Sequence, residues 1–174
     1  MLKEIKYRRS IREYNDENID DEKIKLILEA GMLAPSAINA RDYAFIVIGD
    51  KDMMQRMAII NGKSAWPLNN AKKAILVCGD LSKSYQKAKD YWIINASSAI
   101  QNMLIEAYHL GIGTCWIGVY PQMHKVKGHQ ELFNLPENII PHSIITFGYP
   151  KDPNELELGS RGYYDADLVH NEKW

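Results

Sequence analysis

Arg8-Arg9-Ser10-Ile11-Arg12 gathers three guanidiniums and a hydroxyl into five positions with no acid among them. A guanidinium offers planar, paired donors and stays protonated in any protein, so the chemistry it suits is phosphate binding. Three this close repel one another unless an anion or an acidic partner neutralises them. The segment reads as an anion site or as a solvated basic arm, and the pentapeptide alone leaves both open. The net charge of the 174-residue chain is only −1. That balance argues against a general nucleic-acid binder, whose domains carry a clear basic excess.

Other reactive residue types form no working set. Cys78 and Cys115 lie far apart in apolar surroundings and read as buried thiols of a reducing compartment. Neither lies beside a plausible base, and no Gly-x-Ser-x-Gly elbow is present. His124 and His129 are five apart, on different faces of a helix, with no carboxylate or Cys to complete a metal set. No metal is assigned. Gly111-Ile112-Gly113 starts like a dinucleotide fingerprint, but Trp116 takes the sixth position and the glycines follow a helix, not a strand. Gly113 to Gly118 has Walker spacing without the Lys and hydroxyl residue.

Behind these residues stands an ordinary globular chain, 46% hydrophobic and 25% charged, long enough for one domain over 1–174. Met1-Leu2-Lys3-Glu4 lacks the apolar core of a signal peptide. Ile93 to Leu110 is too broken by polar residues to span a membrane. A cytoplasmic protein with no membrane contact is expected.

Asp20-Asp21-Glu22 starts a helix that keeps Ile24, Ile27, Leu28 and Met32 on one side until Pro35 stops it. Tyr43–Ile48 and Ala74–Cys78 read as buried strands, with a helix from Asp50 to Ile60 between them. The longest helix is expected from Tyr85 to Leu110, closed by Gly111 and apolar on most of its circumference. Its polar seam, Asn95, Ser98 and Asn102, reads as packing against another helix in preference to catalysis. Thr114–Val119 is a strand, Gln122–Phe133 a helix and Ser143–Tyr149 a strand. The polar tail ends in Trp174, a residue expected to dock on something. Strands and helices do not alternate regularly, which favours α+β over a doubly wound sheet.

Three marks remain in order: the Arg-rich start, a Pro-Ser-Ala-x-Asn turn after the first strong helix, and a Gly-rich turn into a strand. RRSIREY, LEAGMLAPSAINA, NASSAIQNMLIEAYHLGIGTCWIG and SIITFGYP, followed by Arg161 and HNEKW, cover nearly the whole chain. Together they resemble the nitroreductase family of FMN-dependent NAD(P)H oxidoreductases.

The resemblance implies a nitroreductase-like α+β fold, with a central, mainly antiparallel sheet flanked by helices. It also implies an intertwined homodimer holding FMN at its interface. Arg8, Arg12 and Arg161 would serve the FMN phosphate, Ser10 would hydrogen-bond the cofactor, and Arg9 would lie near the flavin pyrimidine. Pro35, Ser36, Ala37 and Asn39 would reach the flavin from the second subunit. Ile117 and Gly118 match the segment whose backbone N–H faces flavin N5, where a glycine lets the chain approach a flat ring. Trp116 would pack beside that ring or in the core. Arg41 departs from the family's common Gln, and Asp42-Tyr43 replace a frequent Pro-Trp.

NADH or NADPH would be the reductant, in a ping-pong cycle delivering electrons to a small-molecule acceptor such as a nitroaromatic or quinone. Such chemistry is carried by the cofactor, which explains the missing catalytic triad. The chain lacks a long insertion after Ile60, so an open, unselective acceptor site is expected. Rival readings remain: a flavin sensor or FMN-handling module without turnover, an anion contact on a non-enzymatic domain, or a reductive dehalogenase or flavin-fragmenting enzyme on the same scaffold.

Overall fold

An apolar run without polar alternation, such as Ala74–Cys78, needs cover on both faces, and the fold supplies it. The computed structural model describes residues 1–158, 162 and 164–174. Among the described residues, five α-helices and four strands follow in order: α1 (Lys3–Tyr7), α2 (Asp21–Met32), β1 (Tyr43–Ile48), α3 (Lys51–Asn61), β2 (Lys73–Asp80), α4 (Tyr91–His109), β3 (Gly113–Gly118), α5 (Met123–Phe133) and β4 (Ile139–Gly148). The strands form one antiparallel sheet in the order β1-β2-β4-β3, so β1 and β3 are its two edges.

Successive residues of β2 point to opposite faces. Ile75 and Val77 join Ile145, Phe147, Ile24, Ile27, Ile100 and Met103 in the core beneath α2 and α4. Leu76 and Cys78 join Ile144, Ile117, Met54, Met57 and Val126 in the core beneath α3 and α5. The result is three layers, helices on either side of an antiparallel sheet, as α+β predicts.

Local chemistry sets the boundaries. The Asp20 carboxylate accepts from the Glu22 N–H and that of Asp50 from the Met53 N–H, capping α2 and α3 where the sequence places their starts. β1 matches its expected span. The α4 seam does pack on a helix, since the Asn102 amide donates to the Ala30 carbonyl of α2 at 3.1 Å.

Two expectations are corrected. α4 begins at Tyr91, not Tyr85, because Tyr85–Asp90 forms tight turns (Ala88 N–H to Tyr85 O, Tyr91 N–H to Ala88 O) and offers little apolar surface before Trp92. β4 begins at Ile139, four residues early. It runs through Pro141, where the ladder shifts register: Val77 faces Ser143 and Cys78 faces Pro141, with His142 as the extra residue. A bulge tolerates a residue without an N–H. Trp174 is fully exposed on this chain, its ring 4.2 Å from that of His170 between centroids.

No helix among the described residues is long and apolar enough to cross a membrane, and no group of His, Cys, Asp or Glu among them could hold a metal ion.

Candidate functional site

Ile11 alternates with polar neighbours, so an extended backbone buries it and turns Arg12 outward. The structure stitches this segment to the β3 edge. Ser10 bridges Thr114 in parallel, and the Ile11 N–H donates to the Thr114 carbonyl at 2.8 Å. Gly113 makes this approach possible, because a Cβ there would lie 2.8 Å from the Ile11 side chain. Tyr14 adds a buried staple: its hydroxyl donates to the Ile11 carbonyl at 2.7 Å and lies 2.7 Å from Thr146 Oγ1. The guanidiniums therefore stand on a rigid support.

Arg8 and Arg9 are half-buried and Arg12 is exposed. Among the described residues, none of the three pairs with a carboxylate. Arg9 Nε is buried with no hydrogen-bond partner, a costly state for a charged group. Arg12 makes one long contact, Nη1 to the Ser10 carbonyl at 3.4 Å, and its guanidinium lies beside the Cys115 thiol. The solvated-arm reading fails for Arg9.

The strand end forms a second limb. Ile117 is buried in the core, so it offers its backbone but not its side chain. Trp116 and Gly118 share the opposite, exposed face. A Cβ at Gly118 would meet nothing within 4 Å, so the open space in front of this peptide is real. Trp116 is not a buried core residue. It is 38% exposed, and its indole N–H donates to Ser143 Oγ at 2.7 Å, with Ser143 Oγ 2.9 Å from His142 Nδ1.

The third limb is the turn after α2. Ser36 and Ala37 are half-buried, and Pro35 and Asn39 are exposed. Ile38 (φ 51°), Asn39 (φ 57°) and Arg41 (φ 47°) all adopt the left-handed region. Asn tolerates it; a β-branched Ile does not readily. Such strain concentrates where a loop must present itself to a ligand. The Arg41 N–H donates to Ser36 Oγ at 3.0 Å, Arg41 Nε donates to Asn39 Oδ1 at 3.2 Å, and the Ala37 N–H donates to Asn95 Oδ1 at 3.0 Å.

The structure thus joins Arg8–Arg12 to the strand bearing Ile117 and Gly118, but not to the turn. The turn leads into β1 and is tied to α4, at the other edge of the sheet. Arg161 lies outside the described residues. Asn61 is a residue the sequence reading missed. Its amide donates to the Gly118 carbonyl at 3.1 Å from the end of α3. Its only sequence signal is a polar residue on the buried face of that helix.

Both thiols are poor nucleophiles. Burial pushes Cys78 up to about 12 and also raises Cys115, against the opposing pull of Arg12. Burial likewise keeps His129 and His142 neutral, each pushed down to about 4.

Comparison with known proteins places the chain in a family. The model of the nitroreductase family matches residues 5–79 and 59–149. A protein of Archaeoglobus fulgidus, named as a candidate NADH dehydrogenase/NAD(P)H nitroreductase, is 44% identical over 176 residues, covering 99% of this chain and 98% of its own. An FMN-dependent nitroreductase structure from Clostridium difficile superposes with a TM-score of 0.85 at 32% identity, covering 96% of both chains. A candidate nitroreductase from Desulfovibrio desulfuricans, solved in complex with FMN, gives 0.77 at 32% identity and covers 97% of this chain and 94% of that one.

Proposed function

The chain belongs to the nitroreductase family, and from that premise we propose that it is an FMN-dependent oxidoreductase. NADH or NADPH is its reductant, and nitroaromatics, quinones or similar small molecules are its acceptors. The observation that carries this reading is the rigidly mounted arginine cluster, with Arg9 Nε buried and unpartnered.

The residues present fit FMN. Three unpaired guanidiniums suit a phosphate and a ring that gains negative charge. Gly118 leaves its peptide open to a flat group. FMN held there would supply the redox chemistry, accepting hydride from NAD(P)H and returning it to an acceptor in a ping-pong cycle.

The protein's own residues bind, orient and bias. Arg8 and Arg12 neutralise the phosphate, together with Arg161. Ser10 supplies a hydroxyl, and Arg9 directs positive charge toward the pyrimidine. Pro35 ends α2 so that Ser36, Ala37 and Asn39 can face the cofactor. Ser36 Oγ and Asn39 Oδ1 already accept from Arg41, so the Ser36 O–H and the Asn39 N–H groups remain as donors. Ile117 anchors the peptide that Gly118 exposes.

The Arg segment and the turn stand on opposite edges of a four-stranded sheet, three strand spacings or roughly 14 Å apart. One FMN served by both therefore sits between two copies of the chain, and a homodimer is part of the proposal. So is a single FMN-binding domain over 1–174. A cytoplasmic location suits the two unpaired thiols.

The test is direct. Purified protein should be yellow, release FMN on denaturation, and oxidise NADH or NADPH when a quinone or nitroaromatic is added. Colourless protein that does not take up added FMN would overturn the reading.

A further inference from the structure

Asp42 lies at the foot of β1 and is completely buried. Its backbone carbonyl accepts from the Asp80 N–H at 2.9 Å, continuing the sheet ladder, so the residue is held by the sheet itself. Its Oδ1 accepts from the Asn95 amide Nδ2 at 2.8 Å, while Oδ2 is buried without a partner. Asn95, on α4, is 4% exposed and turns its other end to the strained turn, where Oδ1 accepts from the Ala37 N–H.

The polarity of this relay is fixed by chemistry. An asparagine amide can face either way, since one end donates and the other accepts. The Ala37 backbone N–H only donates, so it takes the accepting end. The donating end must then face Asp42. The turn's other side-chain ties, from Arg41 to Ser36 Oγ and Asn39 Oδ1, are exposed and compete with water. Ile38, Asn39 and Arg41 all keep left-handed backbones that favour relaxation. A buried tie from the sheet through α4 is the one suited to hold them. The unpartnered Oδ2 lowers stability, which a purely structural position would not need.

We propose that Asp42 and Asn95 are positioning residues, fixing the Ala37–Arg41 turn in its left-handed form for the cofactor. This rests on the reading that the turn meets FMN. Neither side chain need touch the flavin; each acts through the turn.

The test uses the full chain stripped of flavin, with FMN affinity read by fluorescence quenching and stability by thermal unfolding of the apoprotein. Asn95→Asp sets two carboxylates against each other and should weaken FMN binding about tenfold. Asn95→Ala removes the tie and should do the same. The exchange D42N/N95D restores a fixed sense, because the carboxamide at 42 donates to the carboxylate at 95, which accepts from the Ala37 N–H. It should bind FMN within about threefold of wild type. N95D binding FMN as tightly as wild type would overturn the proposal, as would a folded exchange variant that recovers nothing.

Asn95→Ala decides the matter should N95D not fold, with D42N as its control. D42N can keep an oxygen toward the Asn95 amide, so it preserves the relay and should bind FMN within about threefold of wild type, while Asn95→Ala should lose about tenfold. For Asn95→Ala, a lowered midpoint with unchanged affinity would mean a structural role only. Wild-type protein that takes up no FMN at all would instead overturn the functional reading on which the proposal stands.

Discussion

The Asn61 side-chain amide donates to the Gly118 carbonyl oxygen at 3.1 Å, tying the last residue of α3 to the last residue of β3. The bond fixes the plane of the peptide that follows Gly118, on the strand face where nothing fills the space in front of it. Asn61→Ala removes the donor. It should lower stability by about 1–2 kcal/mol and weaken FMN binding severalfold. Thermal unfolding and flavin titration check both. Unchanged FMN affinity would mean that this peptide does not meet the cofactor.

Gly118 offers a cleaner separation of fold from site. A methyl group there would contact no protein atom within 4 Å. Gly118→Ala should therefore unfold near the wild-type temperature and still lose FMN affinity, since its Cβ would occupy the cofactor's space. A variant that binds FMN normally would move the site elsewhere.

The proposed site divides the arginines by role. Arg12→Ala should weaken FMN retention by about tenfold or more, and the loss should be larger at low ionic strength. Arg9→Gln drops the charge and keeps a shorter amide donor in its place. It should shift the reduction potential of bound FMN to more negative values, with a smaller effect on retention. Titration at two salt concentrations and potentiometry distinguish the two. Equal effects on retention and potential from both variants would contradict the division.

Two histidines predict the acid limit of stability. His129 is fully buried with neither ring nitrogen partnered, and His142 is buried among Trp92, Trp116 and Ser143. Burial holds both near 4, below the unfolded value of 6.5; Lys125 adds to the shift at His129. The unfolded chain thus binds these protons first, so stability is full above about pH 6.5 and falls as pH drops toward 4. Each site removes on the order of 3 kcal/mol across that window. His129→Leu should flatten half of the slope in urea melts between pH 7 and 4.5. An unaltered slope would show that His129 does not carry it.

The fold was largely legible because its signals are local. Asp20 and Asp50 announce helix starts, Tyr43–Ile48 is bounded by polar residues and Gly49, and Ala74–Cys78 has the unbroken apolarity of a central strand. The start of β4 was misplaced because a distant partner sets it: pairing with β2 extends the strand back to Ile139 through a register shift at Pro141.

The site was legible in part for the same reason. The arginine cluster and Gly118 stand out by type. Asn61, Asp42 and Asn95 act through partners 57 and 53 residues away, which no local spacing reveals. Trp116 was left between flavin neighbour and core; its half-exposed indole, tied to Ser143, excludes the core.

The most direct measurement is an anaerobic titration of the purified protein with NADH and NADPH, followed by a quinone. The account predicts that the yellow flavin absorbance bleaches with NADH or NADPH before any acceptor is present. It then predicts that the colour returns when the quinone is added. A yellow protein whose colour survives both nucleotides would contradict an oxidoreductase function and leave a flavin-binding module in its place.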